Sequence, residues 1–409
     1  MSDIELRRIN KDEVPAFART FGVSFGWDAD DEEDMKFWEW VQSLGRSLAA
    51  FDDGRIVATA GIIPFQLTLP GGTQAPTGGV TAISVLPTHR RRGILRSFMR
   101  HQIEDMREQG EATGILWASE SIIYGRFGYG LATTQADLKI RRPHTAFDRA
   151  PSAARAVRLL EQDEAATTLP DIYDRFRRQV PGQIDRVPSW WDEFFRDSPQ
   201  HRRGGSKRYY VVYQDGEDEG YAAYRVKSEW LGGIPGATAQ VADLVTTGSD
   251  AYTALCRYLL DLDLVDTISI HGRPLDEPLR WMLADPRRLR FADVGDAIWL
   301  RVVDIPGALE GRRYMVDGCL RLRISDPFCP DNDGTYQLEG GPEGATCSRV
   351  EGDADLALDV ADLGAAYLGG TPFSTLATAG RVEELSSGAL RLADAMFAAD
   401  VAPWCDHHF

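Results

Sequence analysis

Near residue 85 the apolar positions change their spacing from that of a strand to that of a helix. An apolar run over Val80–Leu86 predicts a buried strand, and Pro87 ends it because proline cannot donate to a sheet ladder. After a short basic turn, apolar residues recur at helical spacing until Gly110, which should end the helix. The apolar positions of this predicted helix are Ile94, Leu95, Phe98, Met99, Ile103 and Met106.

Residues 1–140 carry further helix and strand patterns around this pair of elements. The predicted elements are a helix over Lys11–Phe21, strands over Leu48–Phe51, Ile56–Leu69 and Thr113–Ser119, and a turn at Asp52–Gly54. Because helices and strands alternate here, we expect an α/β domain with a mixed sheet.

Residues 141–303 repeat the order of hairpin, strand and helix. The predicted strands are Tyr209–Tyr213, Tyr221–Val226 and Ala239–Thr246, and apolar residues from Tyr252 to Leu260 predict the helix. The loop between this strand and this helix, Thr246–Asp250, contains no arginine. The second unit therefore reads as a degenerate copy of the first one.

Residues 304–409 form a third predicted unit. It contains a strand over Cys319–Ile324, a glycine-rich acidic hairpin over Asp331–Gly344 and a helix from Leu390 to Phe397. With 409 residues the chain is too long for one ordinary core, so three domains at 1–140, 141–303 and 304–409 are expected.

Composition narrows the classes of protein. The formal net charge of −17 argues against nucleic-acid binding, which needs a basic surface, and favours a cationic substrate. The first residues lack a signal segment, and no run of 18 apolar residues occurs, so we expect a cytoplasmic protein that does not enter a membrane. Five cysteines without a Cys-x-x-Cys pair predict free thiols and no metal site.

Acidic and aromatic residues are mixed between positions 21 and 40. The acidic residues Asp28, Asp30, Asp31, Glu32, Glu33 and Asp34 stand beside Phe21, Phe25, Trp27, Phe37, Trp38 and Trp40. This segment is either a solvated acidic turn before an amphipathic helix or a pocket wall that binds a polyamine through charge pairing and cation–π contacts.

The turn before the predicted helix is the basic exception on this acidic chain. Its arginines are Arg90, Arg91, Arg92 and Arg96. Gly93 lets an anion approach the free amides of the first helical turn, which carry the positive end of the helix dipole. By spacing alone, the same arginines could also form a solvated basic face.

The segment Arg90–Leu95 resembles the acetyl-coenzyme A loop of the GNAT superfamily of N-acetyltransferases, with Leu95 at a position where glycine or alanine is usual. The segment Glu120–Gly130 is similar to one branch of that superfamily, the Eis-type (enhanced intracellular survival) acetyltransferases. Further similarity lies at Asp296–Pro306, Ala365–Gly370 and the terminal Phe409, so the resemblance spans nearly the whole chain. It implies tandem GNAT folds, the second degenerate, followed by a sterol-carrier-like domain.

The resemblance also implies how acetyl-coenzyme A is bound. Backbone groups of Ile83, Ser84 and Val85 would pair with the pantetheine arm, and the Val85 amide would serve the thioester oxygen. Ser119 and Glu120 would lie where the next strand diverges and the thioester passes. The residues expected to hold the pyrophosphate are Arg91, Arg92, Gly93, Ile94, Leu95 and Arg96.

Two residues are expected to move protons. Tyr124 would protonate the departing thiolate, since a phenol with a pKa near ~10 is protonated at neutral pH. By sequence alone, the context favours a packed aromatic beside Phe127 and Tyr129, and the similarity of Ile123–Gly130 to the family motif reverses that interpretation. The resemblance implies that the α-carboxylate of Phe409 is the base, acting directly, through a water or by attracting the ammonium form, with His408 or Glu120 as alternative bases.

The expected activity is transfer of the acetyl group of acetyl-coenzyme A to primary amines of cationic small molecules, with aminoglycosides as the class that the resemblance implies. Protein lysines or N-termini are the alternative acceptors. A second alternative is a scaffold that binds coenzyme A or lipid without catalysis. The resemblance further implies a homo-oligomer, a homohexamer.

Overall fold

The computed structural model of the chain describes residues 4–26, 28, 32–149, 157–197, 202, 204–216 and 218–409. Contacts divide the chain into two compact units. The first unit contains the chain up to Ala132, then Ile298–Ala399 and His408–Phe409. The second unit contains Thr133–Ala297 and Asp400–His407.

The strands and helices are numbered in chain order. The strands are β1 (Glu5–Arg8), β2 (Leu48–Asp52), β3 (Arg55–Thr68), β4 (Gln74–Val85), β5 (Thr113–Trp117), β6 (Gly130–Leu131), β7 (Thr134–Arg141), β8 (Val157–Leu160), β9 (Tyr209–Asp215), β10 (Asp218–Lys227), β11 (Trp230–Leu231), β12 (Ile234–Pro235), β13 (Ala237–Thr246), β14 (Val265–Arg273), β15 (Arg290–Asp296), β16 (Ile298–Val302), β17 (Gly318–Ser325), β18 (Gly334–Gly341), β19 (Gly344–Val350), β20 (Leu356–Asp359) and β21 (Val382–Glu384). The helices are α1 (Val14–Phe25), α2 (Glu32–Ser43), α3 (Ile94–Glu108), α4 (Ser121–Tyr124), α5 (Gln162–Arg177), α6 (Pro188–Phe195), α7 (Ser249–Leu260), α8 (Leu279–Met282), α9 (Ile305–Gly311), α10 (Val360–Ala366), α11 (Phe373–Thr378) and α12 (Ala389–Phe397).

The larger sheet of the first unit has seven strands among the described residues, in the order β1-β2-β3-β4-β5-β16-β6. β4 and β5 are parallel, as expected for strands joined by the crossover helix α3. The apolar face predicted for α3 is buried at Phe98, Met99, Ile103 and Met106. The mixed α/β sheet predicted for this part of the chain is therefore confirmed.

The sheet of the second unit repeats this arrangement. Its order, over the residues that the structure describes, is β15-β7-β14-β13-β10-β9-β8, with β13 and β14 parallel. The helix between them, α7, buries Leu255, Cys256 and Leu259 in the core. The junction Thr247–Gly248 contains no arginine, in agreement with a degenerate second copy.

Each of these two sheets contains one strand that the predicted domain limits assign mostly or wholly to the other domain. β16 (Ile298–Val302) pairs with β5 and β6 and completes the first sheet. β7 (Thr134–Arg141) pairs with β14 and β15 in the second sheet. A short apolar strand fits either sheet locally, so its sequence pattern does not predict which sheet it joins.

The third domain forms a five-stranded sheet in the order β19-β18-β17-β20-β21 within the first unit. Its helix α10 lies directly on β6 and β16. A Cβ at Gly130 would lie 1.8 Å from the Ala361 carbonyl oxygen, and one at Gly364 would lie 2.2 Å from the Leu300 carbonyl oxygen. The close packing of α10 on these strands therefore depends on two glycines.

Trp404, near the end of the chain, is anchored in the second unit. Trp404 is buried in a core cluster with Tyr173 and Trp191, and its backbone amide donates to the Pro181 carbonyl at 3.1 Å. The five cysteines are free thiols, as expected. None of the described helices has the length and apolar character that crossing a bilayer requires.

Candidate active site

A gap opens between the two central strands of the first sheet. β4 continues to Val85, but it pairs with β5 only through Thr77–Gly79 and Thr113–Ile115. Ile83, Ser84 and Val85 therefore lie beyond the segment of β4 that pairs with β5. Their backbone groups on the β5 side are placed to pair with an extended ligand that enters as an added strand.

A bulge shapes β4 just before this gap. Ala82 has a left-handed φ of 54°, and the pairing of β4 with β3 shifts register at this point. The Thr59 hydroxyl fixes the bulge, since it lies 2.7 Å from both the Ala82 carbonyl oxygen and the Ser84 hydroxyl. The Ser84 side chain is thereby turned toward β3, which leaves only its backbone for the gap.

The basic turn leads into α3 next to the gap. Gly93 caps the helix with a φ of 84°, and nothing lies within 4 Å of the position that a Cβ would take. Arg91 also has a left-handed φ, of 64°, and both Arg91 and Arg92 are exposed. Buried Ile94 anchors the first helical turn. The free amides of this turn thus face open space and suit an anionic group.

The arginines of the turn have different neighbours. Arg92 Nη1 lies 3.4 Å from Asp52 Oδ2, which also lies 2.9 Å from His89 Nε2. The guanidinium of Arg96 lies 5.2 Å from the ring centre of Phe328. Leu95 packs at the edge of the core below α3. The contacts of Asp52 with Arg92 and His89 were not predicted from the sequence, because the position of Asp52 in a predicted turn indicates only a structural role.

Tyr124 is the last residue of α4, the short helix that begins directly after the exposed Ser119 and Glu120. The side chain is buried, and this burial raises the pKa of Tyr124 above its usual value. A hydrogen bond with Ser119 lowers that pKa and the charge of Glu120 raises it. The phenol therefore stays protonated at neutral pH and is available as a proton donor.

The aromatic residues of this motif also pack together. The rings of Tyr124 and Tyr129 are 6.1 Å apart in an edge-on arrangement, and Phe127 meets Phe328 edge-on at 5.1 Å. All four side chains belong to one buried cluster. Tyr124 thus has the packed position that its sequence context suggested, and its hydroxyl also interacts with Ser119.

The last two residues of the chain lie on the first sheet. The Phe409 ring is 4.9 Å from that of Phe65 on β3, and the His408 ring is 4.9 Å from that of Trp117 at the end of β5. Phe409 is buried. The His408 side chain is partly exposed, but the protein around its imidazole desolvates it and lowers its pKa. Neither Phe65 nor Trp117 was predicted to contact the chain end.

The described residues include only part of the acidic and aromatic segment at positions 21–40. Trp38 is buried, and its ring packs against Phe17 and Phe21 at 5.7 and 5.1 Å. Trp27, Asp30, Asp31 and the side chains of residues 32–34 lie outside the described residues. Among the residues described, no group of three His, Cys, Asp or Glu side chains could hold a metal ion.

Comparison with known proteins assigns a family to each part of the chain. Residues 5–132 and 182–302 each match an acetyltransferase (GNAT) domain, and residues 305–406 match a sterol carrier protein domain. A Streptomyces avermitilis protein described as an uncharacterized N-acetyltransferase is 37% identical over 409 residues, which cover 99% of both chains.

Two mycobacterial proteins are similar at the same level. The N-acetyltransferase Eis of Mycobacterium tuberculosis is 36% identical over 353 residues, which cover 85% of this chain and 84% of that protein. The crystal structure of Eis1 from Mycobacterium abscessus superimposes with a TM-score of 0.88 at 35% identity and covers all of both chains.

Proposed function

Because this chain belongs to the Eis-type N-acetyltransferases of the GNAT superfamily, we propose that it moves the acetyl group of acetyl-coenzyme A to primary amines of cationic small molecules such as aminoglycosides. The observation that carries this proposal is the association of three features in one unit. These are the gap between β4 and β5, the basic turn that joins β4 to α3, and the buried Tyr124 on α4, the helix that follows β5.

Several residues of the first unit suit acetyl-coenzyme A, which supplies the thioester whose acetyl group is transferred. Backbone groups of Ile83, Ser84 and Val85 would pair with the pantetheine arm, and the Val85 amide would donate to the thioester oxygen. Ser119 and Glu120 flank the path of the thioester in this proposal. The pyrophosphate would be held by Arg91, Arg92, Gly93, Ile94, Leu95 and Arg96, with Ile94 and Leu95 contributing backbone amides.

Tyr124 is the proposed general acid. When the amine nitrogen bonds to the acetyl carbon, the carbon–sulfur bond breaks and the leaving thiolate takes the phenolic proton. Burial supports this role because it raises the Tyr124 pKa and keeps the proton on the phenol at neutral pH. The hydrogen bond with Ser119 supports it as well, because it restrains the hydroxyl.

The Phe409 α-carboxylate is the proposed base, which accepts the proton that the amine loses when its nitrogen bonds to the acetyl carbon. A terminal carboxyl with a pKa of about 3.3–3.7 is a weak base in water, so its first contribution would be to attract the ammonium form. His408 is the alternative base, and its lowered pKa keeps it neutral at pH 7. Glu120 is the third candidate, since it is exposed beside Tyr124.

The remaining expectations rest on the family alone. We propose a homohexamer, which light scattering at several protein concentrations would test. We also propose a cytoplasmic location and domain limits at residues 140/141 and 303/304. A net charge of −17 supports a cationic acceptor through attraction at long range.

The decisive experiment follows coenzyme A release from acetyl-coenzyme A by untagged protein, with and without an aminoglycoside. We expect aminoglycoside-dependent release that falls about 100-fold in Tyr124→Phe. The matched control is Tyr129→Phe, because its hydroxyl is buried in the same cluster and has no hydrogen-bond partner among the described residues. Release that depends on a lysine peptide instead would indicate a protein acceptor, and binding without any release would indicate a scaffold.

A further inference from the structure

A buried arginine connects the Tyr124 motif with the third domain. Arg301 lies on β16, and its side chain is fully shielded from solvent. Nη1 donates to the Phe127 carbonyl oxygen at 2.5 Å. Nη2 donates to Asp326 Oδ2, also at 2.5 Å, and the Asp326 side chain is fully buried too. One guanidinium therefore binds the turn that follows Tyr124 and a carboxylate just beyond β17.

The carboxylate of Asp326 is fixed by the loop that follows it. Oδ2 also accepts from Asn332 Nδ2 at 2.9 Å, and Oδ1 accepts from the Cys329 amide at 3.0 Å. These donors come from the chain between β17 and β18. These hydrogen bonds hold the Asp326 carboxylate in one position within the third domain. Its charge-assisted hydrogen bond with Arg301 holds the guanidinium in turn.

The Tyr124 motif is shaped to receive this guanidinium. A Cβ on Gly128 would lie 1.6 Å from Arg301 Nη1, so only glycine leaves enough room. The ring of Phe328, two residues after Asp326, packs edge-on against Phe127 at 5.1 Å. The third domain therefore contacts the turn after Tyr124 through a charged pair and through an aromatic pair.

A fully buried ion pair gives little net stability, because desolvation of both charges offsets their attraction. An apolar pair of similar size would often be as stable. We therefore attribute to the pair a role in positioning rather than in stability, because Arg301 holds the Phe127 carbonyl in place through a hydrogen bond. The same turn is closed by hydrogen bonds from Gly128 N to the Gly125 carbonyl and from Tyr129 N to the Tyr124 carbonyl.

We propose that Asp326 and Arg301 are positioning residues of the acetyl transfer, which hold the Phe127 carbonyl and thereby set the place of the Tyr124 hydroxyl. The inference rests on the proposed function, in which Tyr124 is the acid. It gives the sterol-carrier-like domain a part in catalysis that requires no lipid. Displacement of a reacting group by about 1 Å lowers a rate about 100-fold, so loss of the pair should reduce kcat on that scale.

The test uses the full-length protein with an aminoglycoside acceptor. The double variant Arg301→Met/Asp326→Leu replaces the ion pair by apolar residues. It leaves no unpaired charge in the core, whereas a single substitution would leave one buried charge without its partner. We expect this variant to remain folded, with a lower melting temperature because the Asn332 and Cys329 donors lose their acceptor, and to bind acetyl-coenzyme A within about twofold of wild type, while kcat falls about 100-fold.

A matched single variant controls for stability. Asp326→Asn is compared with Glu111→Gln, which weakens another buried ion pair of the first unit, that of Glu111 with Arg46 at 2.7 Å. Both variants should lose stability, and only Asp326→Asn should lose kcat. Equal kcat values for the two variants, measured well below their melting temperatures, would overturn the inference.

A double-mutant cycle with Tyr124→Phe shows whether the pair acts through Tyr124. If it does, Asp326→Asn lowers kcat little further once the phenol is absent, so the two effects are not additive. Full kcat in the double apolar variant together with low kcat in Tyr124→Phe would overturn only this inference. Wild-type kcat in Tyr124→Phe would overturn the proposed acid itself, and this inference with it.

Discussion

The imidazole of His408 lies 4.9 Å from the indole of Trp117, which ends the strand leading to Ser119 and Tyr124. The next residue, Phe409, is buried with its ring against Phe65. Chain ends are usually frayed unless they are tied down. Aromatic packing of the last two residues fixes this chain end on the sheet that carries the candidate site.

Removal of Phe409 should therefore lower kcat about 100-fold, because the terminal carboxylate moves back by one residue. The matched variant is Phe409→Ala, which keeps the carboxylate at position 409 and removes only the ring. We expect Phe409→Ala to retain more activity than the deletion, with unchanged affinity for acetyl-coenzyme A in both proteins. Steady-state kinetics and calorimetry give these values, and equal activity of deletion and wild type would exclude the carboxylate.

The pH dependence of kcat should reflect the buried phenol. Because burial raises the Tyr124 pKa above its usual value of 10.0, the midpoint of the alkaline fall of kcat should lie above pH 10. Tyr124→Phe should lack this alkaline limb. The profile is measured as coenzyme A release between pH 6 and 11, and a limb near pH 8 that persists in Tyr124→Phe would point to another acid.

Arg92 should contribute to coenzyme A affinity through a charge-assisted hydrogen bond to phosphate. Its guanidinium is exposed beside the open helix start, so Arg92→Ala should raise the dissociation constant about 10-fold. Arg100→Ala is the control, because Arg100 lies further along α3 with its guanidinium over Phe328. Titration calorimetry at two salt concentrations measures both, and equal losses would exclude a specific role for Arg92.

Gly128 should tolerate no side chain. A Cβ there would overlap Arg301 Nη1, and its φ of 81° is unfavourable for other residues. We expect Gly128→Ala to lower the free energy of unfolding by about 3 kcal/mol. Gly125→Ala in the same turn should change it by less than about 0.5 kcal/mol, because φ is −55° and the space around it is open. Chemical denaturation of the two variants provides the comparison.

Asp406 should make the stability of the second unit depend on pH. Burial raises its pKa to about 6, while Arg186 at 3.3 Å opposes the shift and Asp243 adds to it. The folded state then binds more protons than the unfolded state between the unfolded pKa and about 6, so this contribution is present at low pH and is lost as the pH rises through 6.

Asp406→Asn removes that titration. The difference in unfolding free energy between wild type and Asp406→Asn should therefore fall from pH 4 to pH 6 and stay constant above pH 7. Denaturation at these pH values tests the sign, and a difference that rises with pH would contradict the raised pKa.

Much of the fold and part of the site follow from local sequence. The strand, turn and helix over residues 80–108 depend on apolar spacing and on Pro87 and Gly93, which act within a few residues of their own positions. The acetyltransferase family was likewise identifiable from the motifs at Arg90–Leu95 and Glu120–Gly130, and relatives with GNAT domains confirm it. Short-range preferences were sufficient for these conclusions.

The remaining features required the tertiary structure. The exchange of β7 and β16 between sheets depends on strand pairing over long separations, for which a short apolar strand carries no local signal. Asp326 and Arg301 look like ordinary surface charges in the sequence, and only burial against Phe127 makes them partners. The sequence by itself determined the elements and the family, because those depend on neighbours along the chain. The folded chain decided which charges are buried and where its end lies, because those depend on contacts between distant residues.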